Sequence, residues 1–138
     1  MAVFKEKFTI STKGFDDFID VTQKIQTIVE RINIKNGIVN VFVLASTASV
    51  ITLEYEPGLV VDLPKVLNSI VPLNRIYEHD NAWHDGNANA HLKASLLGNN
   101  LTLPVEDNVL ELGTWQQVVV IDFDNKPRVR ELIVTVIG

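Results

Sequence analysis

The sequence predicts an α+β fold in a single domain spanning residues 1–138. Its core is expected to be sheet-rich, with amphipathic helices packed on it. Three observations carry this expectation. Apolar residues fill 46% of the 138 positions and are weighted to Val and Ile, enough for a sheet-rich core. Most apolar runs are short and bounded by Gly, Pro, Asn and Asp, as strands are. A few segments instead repeat their apolar residues every three or four positions, as helices do.

Bulk composition excludes several classes. The chain has no cysteine, which removes a disulfide framework, a thiolate zinc site and a cysteine nucleophile. Its formal net charge of -5 offers no basic surface for nucleic acid. No apolar run approaches the ~18 residues of a membrane helix, and Met1 to Ile10 lack the profile of a signal peptide. A soluble cytoplasmic protein is therefore expected.

The elements follow in order. Residues 2–11 alternate loosely, with Phe4, Glu6, Phe8 and Ile10 on one face, and predict an edge strand in which Glu6 is the misfit. After a break at Thr12-Lys13-Gly14, Asp16 and Asp17 suit the first turn of a helix. Phe18, Val21, Ile25, Ile28, Val29 and Ile32 would form its apolar stripe over about 18 residues, with Asn36-Gly37 as its stop. Ile38 to Val43 reads as a buried central strand and Val50 to Tyr55 as a second, bent off at Ala45-Ser46. Glu56-Pro57-Gly58 reads as a turn before a helix over Leu59 to Ile70, in which Pro64 is tolerable only in the first turn. Ala88 to Leu97 predicts a short helix ended by Gly98. Leu101 to Val105 and Val109 to Leu112 predict short strands. Thr114 to Phe123 and Arg128 to Ile137 predict a terminal hairpin turning at residues 124–127.

Function points to Tyr77 through Gly98, which holds all three histidines: His79, His84 and His91. Neutral imidazoles bind zinc and similar divalent ions, and a catalytic centre needs three protein ligands plus an open position. Intervals of five and seven match no compact helical zinc motif, so all three stand as candidates; His84, before Asp85-Gly86 in what resembles a turn tip, is the one of the three expected to be a bystander. Glu54 is the notable carboxylate, because it lies in the apolar run Ile51 to Tyr55, where an unpaired charge is costly. Ser46, Thr47 and Ser49 offer hydroxyls at a strand bend. Without the flanking glycines of a nucleophile turn they suit ligand hydrogen bonding better than attack. Arg128 and Arg130, two apart on a strand, share one face and suit a phosphate or carboxylate; the alternative is an ion pair with Asp122 or Asp124.

Several motifs together resemble the YjbQ family, an uncharacterised protein family also called the secondary thiamine-phosphate synthase family. They are the segment Val41 to Val50 with Glu54 beyond it, Asp62, Tyr77-Glu78-His79, Asp85-Gly86-Asn87, Ala90 to Gly98 (AHLKASLLG), Leu112 to Gln116 (LGTWQ), and Arg128-Val129-Arg130. The resemblance spans roughly residues 38–138. It implies a compact α+β domain, mostly antiparallel β-sheet or sandwich with two to three packed helices, assembling as a homotrimer with sites near subunit contacts, and a divalent metal, possibly zinc, as cofactor. It further implies a transferase that joins a pyrimidine pyrophosphate to a thiazole phosphate and releases pyrophosphate. Position by position, His79, His91 and Glu54 would be catalytic. The metal would sit on His79 and His91, with His84 as a further candidate ligand. Thr47, Trp115, Gln116, Arg128 and Arg130 would hold a small phosphorylated or anionic ligand. This chain carries Ala45, Leu53 and Asn89 where members of the family often carry His, Asn and His. A second expectation is therefore a non-catalytic trimer that binds a metal or a small anion.

Overall fold

The computed structural model describes residues 1–138. The chain runs β1 (Val3–Thr12), β2 (Asp17–Asp20), α1 (Thr22–Ile32), β3 (Asn36–Val43), β4 (Ala48–Leu53), α2 (Pro57–Ile70), α3 (Glu78–Trp83), α4 (Ala88–Leu97), β5 (Asn100–Glu106), β6 (Val109–Leu110), β7 (Gln117–Asp122) and β8 (Arg128–Ile137). Five strands form one sheet in the order β1-β8-β3-β5-β6, and three form another in the order β2-β7-β4. Every pairing is antiparallel. The α+β sandwich is as expected, although with four helices instead of two to three.

Alternation explains the layers. In β3, Val39, Val41 and Val43 point inward, and in β8 Leu132, Val134 and Val136 do so. They meet Val118 and Val120 of β7 and Val50 of β4 in a core of 19 buried residues between the two sheets. The opposite face of β7 carries Val119 and Ile121. These pack with Phe18, Leu67 of α2 and Ala90 and Ala94 of α4 in a second, smaller core. The three-stranded sheet is therefore buried on both faces, which is why β7 reads as an unbroken apolar run.

Several local expectations need correction. The helix expected from Asp16 begins only at Thr22. Residues 17–20 are instead a strand pairing with β7, Asp17 opposite Asp122 and Asp20 opposite Val119. Asp20 Oδ1 then accepts from the backbone N–H and hydroxyl of Thr22 at the start of α1. That helix ends at Asn33, which is left-handed (φ 60°), so Asn36-Gly37 opens β3 rather than stopping α1. Glu56-Pro57-Gly58 is no free turn: the Glu56 carboxylate accepts from the N–H groups of Gly58 and Leu59, and Pro57 starts α2. The histidine loop contains the short helix α3. Thr114 to Gln116 form a turn before β7, and β6 has two residues instead of four. Glu6, the misfit of β1, is half-buried and takes a hydrogen bond from Arg31 of α1.

One buried cation ties the helical layer together. The Lys93 side chain is 1% exposed; its ammonium donates to Asn68 Oδ1 of α2 at 2.6 Å and lies 3.9 Å from Asp16 Oδ1. Burial pushes its amine down and the Asp16 carboxyl up, each shift opposed by the other's charge.

Candidate functional site

The α3–α4 connection positions the site. His79 stands in the first turn of α3 and His91 in the first turns of α4. Because the two helices are joined by a short turn, their imidazoles come together, with ring centroids 4.6 Å apart and planes tilted by 47°. Asp80 supports the arrangement. Its Oδ1 accepts from the Ala88 N–H at 3.0 Å, capping α4 in place of Asn87, and lies 3.7 Å from His79 Nδ1. That nitrogen is buried and has no hydrogen-bond partner. A carboxylate behind Nδ1 favours a proton there and leaves the lone pair on Nε2.

Burial pushes the His91 imidazole below the ordinary histidine value. Neighbouring His79 lowers it further, and Asp124, Asp85 and Asp80 oppose the shift only in part. The ring thus stays neutral into mildly acidic pH. The stability linked to it is present above the ordinary histidine value and is lost as pH falls through the lowered one. In an NMR titration His91 should have its midpoint below about 6.5, and His79→Ala should raise it. A midpoint that ignores the loss of His79 would contradict the pairing.

Below the histidines, β7, β8 and the turn between them carry a buried ionic network; the expected terminal hairpin does not form, because the chain crosses from one sheet to the other at this turn, β7 pairing with β2 and β4 and β8 with β1 and β3. Arg130 Nε donates to Asp122 Oδ2 at 2.7 Å, and its Nη2 donates to Asp122 Oδ1 at 3.0 Å and to Thr47 Oγ1 at 2.6 Å. Arg128 Nε and Nη2 both lie 3.0 Å from Asp124 Oδ2. Thr47 Oγ1 donates to Asp124 Oδ2 at 3.0 Å, and Asn87 Nδ2 to Asp124 Oδ1 at 3.1 Å. Burial alone would raise the Asp124 carboxyl. The N–H of Asn125, the side chains of Asn87 and Thr47 and the Arg128 guanidinium outweigh it and bring the group down to about 2. The ion pair named as the alternative for the two arginines is therefore present, and it involves both aspartates.

A cleft of about 420 Å³ opens over this network, with His91, Thr47, Asn87, Asp124, Arg128 and Arg130 among its walls. The predicted residues divide accordingly. His79, His91, Thr47, Arg128 and Arg130 gather at one end of the small sheet. His84 is left-handed (φ 60°), caps the end of α3, is exposed and does not line the cleft. Glu54 lies one residue past the end of β4 and is exposed, so the burial cost expected of it does not arise. Leu53 pairs with Gln117, whereas Ala48 pairs with Asp122. Glu54, Trp115 and Gln116 therefore sit at the other end of β4 and β7, roughly 17 Å along the strands. Trp115 is 70% exposed there, and Gln116 Oε1 accepts from the Gly113 N–H.

Asn87 is the residue that sequence reasoning missed. It is buried, it holds Asp124, and its Oδ1 has no hydrogen-bond partner. Its signal was present in Asp-Gly-Asn before a helix, a setting that suits an ordinary cap. The structure frees the side chain for the cleft because Asp80 takes over the capping.

His79 and His91 are two adjacent nitrogen donors, one kept neutral and one backed by a carboxylate. This donor set suits a divalent ion of the zinc class. No group of three or more His, Asp or Glu side chains converges within this chain. Any further ligands would be water or oxygens of a bound molecule.

Comparison with known proteins places these features in a wider set. The family described as UPF0047 protein, YjbQ-like, matches residues 6–138. A UPF0047 protein of Archaeoglobus fulgidus is 38% identical over 128 residues, covering 93% of this chain and 97% of that protein. One from Methanothermobacter thermautotrophicus is 36% identical over 138 residues, covering 100% and 94%. Among solved structures, a YbjQ-like protein of unknown function from Sulfolobus solfataricus superimposes with a TM-score of 0.92 at 33% identity, covering 99% of this chain and 98% of that one. A hypothetical protein from Aeropyrum pernix gives 0.90 at 29% identity, covering 98% of each.

Proposed function

The chain belongs to the YjbQ-like UPF0047 family, and on that premise we propose that its cleft binds a small phosphorylated molecule together with a divalent metal ion, as a transferase acting on phosphorylated thiamine precursors would. The observation that carries this reading is the His79–His91 pair, its ring centroids 4.6 Å apart and His91 lining the cleft. His79 and His91 would hold the ion, zinc being the preference of imidazole nitrogen. Such an ion supplies Lewis acidity toward a phosphoryl oxygen.

Charge balance supports the pairing of metal and anion. Arg130 is matched by Asp122 and Arg128 by Asp124, so the arginines bring no surplus positive charge. Arg128, whose side chain is 37% exposed, is the guanidinium best placed to turn toward a ligand. Asn87, which lines the cleft, holds Asp124 in place beside it. His91, neutral at physiological pH, offers a lone pair to a proton or an ion.

The test is metal and ligand binding by the full chain. Purified protein should take up close to one zinc ion per chain, and His79→Ala and His91→Ala should each weaken uptake by at least about tenfold. His84→Ala should leave it unchanged. Turnover of thiazole phosphate with pyrimidine pyrophosphate by the loaded protein would establish the transferase. Uptake insensitive to both His79 and His91 would end the proposal.

A second reading, a non-catalytic trimer that binds a metal or a small anion, is favoured by the pairing of each arginine with an aspartate and by the distance of Glu54 from the histidines. Metal uptake without turnover would select it. Both readings include a homotrimer. Val66 and Ile70 of α2, then Leu73 and Ile76, leave a run of large apolar side chains 55–82% exposed, the sort of surface that self-association covers. Sedimentation should give the mass of three chains, and Ile70→Glu with Ile76→Glu should reduce it to one. A wild-type monomer would remove the trimer from both readings.

A further inference from the structure

We infer that the cleft is bipartite, and that its ligand is a phosphate ester whose alcohol part is small and uncharged, seated on the far side of His91 from the arginines. This rests on the proposed anion-binding function and names the ligand class it would take. A second cavity, of about 440 Å³, adjoins the first and shares with it Ala45, Ser46 and His91. The two differ in chemistry. The first is lined by Arg128, Arg130, Asp124 and Asp85. The second has no Lys, Arg, Asp or Glu among its lining residues; Ala48, Ala94, Gly98 and the hydroxyl of Ser95 form much of its wall.

The space exists because the residues between β4 and α4 are small. Ala48 and Ala94 are buried at 0% and 5% exposure, and Ser49 Oγ donates to the Ala94 carbonyl at 3.2 Å, which fixes the helix close to the strand. Side chains that stop at Cβ leave room next to His91 that a Leu or Phe would fill. A volume of this size matches the small-molecule range and is far larger than a water site. His91 lines both cavities and so faces the junction between an anionic head and an uncharged body. An ester oxygen bound there lies within the reach of its imidazole.

Calorimetric titration of the zinc-loaded full chain with inorganic phosphate and with phenyl phosphate tests this. Burying about 60 Å² of apolar ring surface corresponds to about tenfold in affinity, so phenyl phosphate should bind at least about tenfold more tightly. Ser95→Phe, at an exposed helix position where folding is not at stake, and Asn99→Leu, which also lines only the second cavity, should each remove that advantage while leaving inorganic phosphate affinity within about twofold. Equal affinity of the two probes for the wild type, or an advantage that survives both variants, would overturn the bipartite cleft while leaving anion binding in place. Failure of both probes to bind would overturn the anion-binding reading itself, and this inference with it.

Discussion

Arg130→Met lowers the stability of the chain by about 3–5 kcal/mol, because it strands a buried carboxylate. Asp122 is 0% exposed and Arg130 is 9% exposed. The guanidinium makes a two-point contact with Asp122 and a third hydrogen bond to Thr47. Methionine fills a similar volume but removes all three donors. The Thr12 hydroxyl, at 2.6 Å, and the N–H of Asp124, at 3.0 Å, remain on Asp122, and neither brings a positive charge. The desolvation cost of the anion is then uncompensated. The site suffers as well as the fold, since Thr47 and Asp124 lose the group that spaces them. Urea unfolding checks the size of the effect. Adding Asp122→Leu to Arg130→Met should recover most of the loss, because an apolar pair can replace a buried ion pair at little cost. A single variant that loses less than about 1 kcal/mol would mean that water reaches the carboxylate and that the network is weaker than its geometry suggests.

Gly14→Ala is the second large effect, at about 2–5 kcal/mol, and it acts from outside on the turn that joins β7 to β8. Gly14 has φ +76°, a left-handed conformation that costs any other residue. A Cβ there would also lie 2.6 Å from the Asp124 carbonyl oxygen and 2.7 Å from that of Lys126. Both obstacles are backbone and cannot swing aside. The next residue makes the contact binding, since the Phe15 N–H donates to the same Asp124 carbonyl at 2.7 Å. An alanine therefore pushes on the segment that presents Asp124 to Asn87, Thr47 and Arg128. Gly86→Ala is the control. Its φ of +66° carries a similar backbone penalty, whereas its Cβ would meet only the Asn125 amide at 3.8 Å. Gly14→Ala should exceed it by at least about 1 kcal/mol in urea unfolding and should weaken ligand binding more. Equal losses would show that this turn yields and that only backbone strain matters.

Much of this architecture was legible along the chain. The alternation of Arg128 to Ile137 and the β-branched run from Ile38 to Val43 name their strands wherever the chain is placed. The small helix before Gly98 and the gathering of the histidines were equally plain. Residues 17–20 were not. Asp-Phe-Ile-Asp ahead of a three-four apolar stripe suits a helix start, and it becomes a strand because β7 offers it a hydrogen-bonding edge a hundred residues later. The short helix α3 was also hidden, since it has no buried residue to set a period.

The site divides along the same line. Sequence alone determined that imidazoles, arginines and hydroxyls were available in a chain of alternating strands, because composition and period are properties of neighbours. Only the tertiary structure decided that His79 meets His91 while His84 turns outward. It also decided that both arginines are engaged by aspartates, that Asn87 is released from capping, and that Glu54 and Trp115 stand at the opposite end of the sheet. Those are distances between residues far apart in sequence. They follow from strand register and from how two cores close around the small sheet, and no local pattern of side chains encodes either.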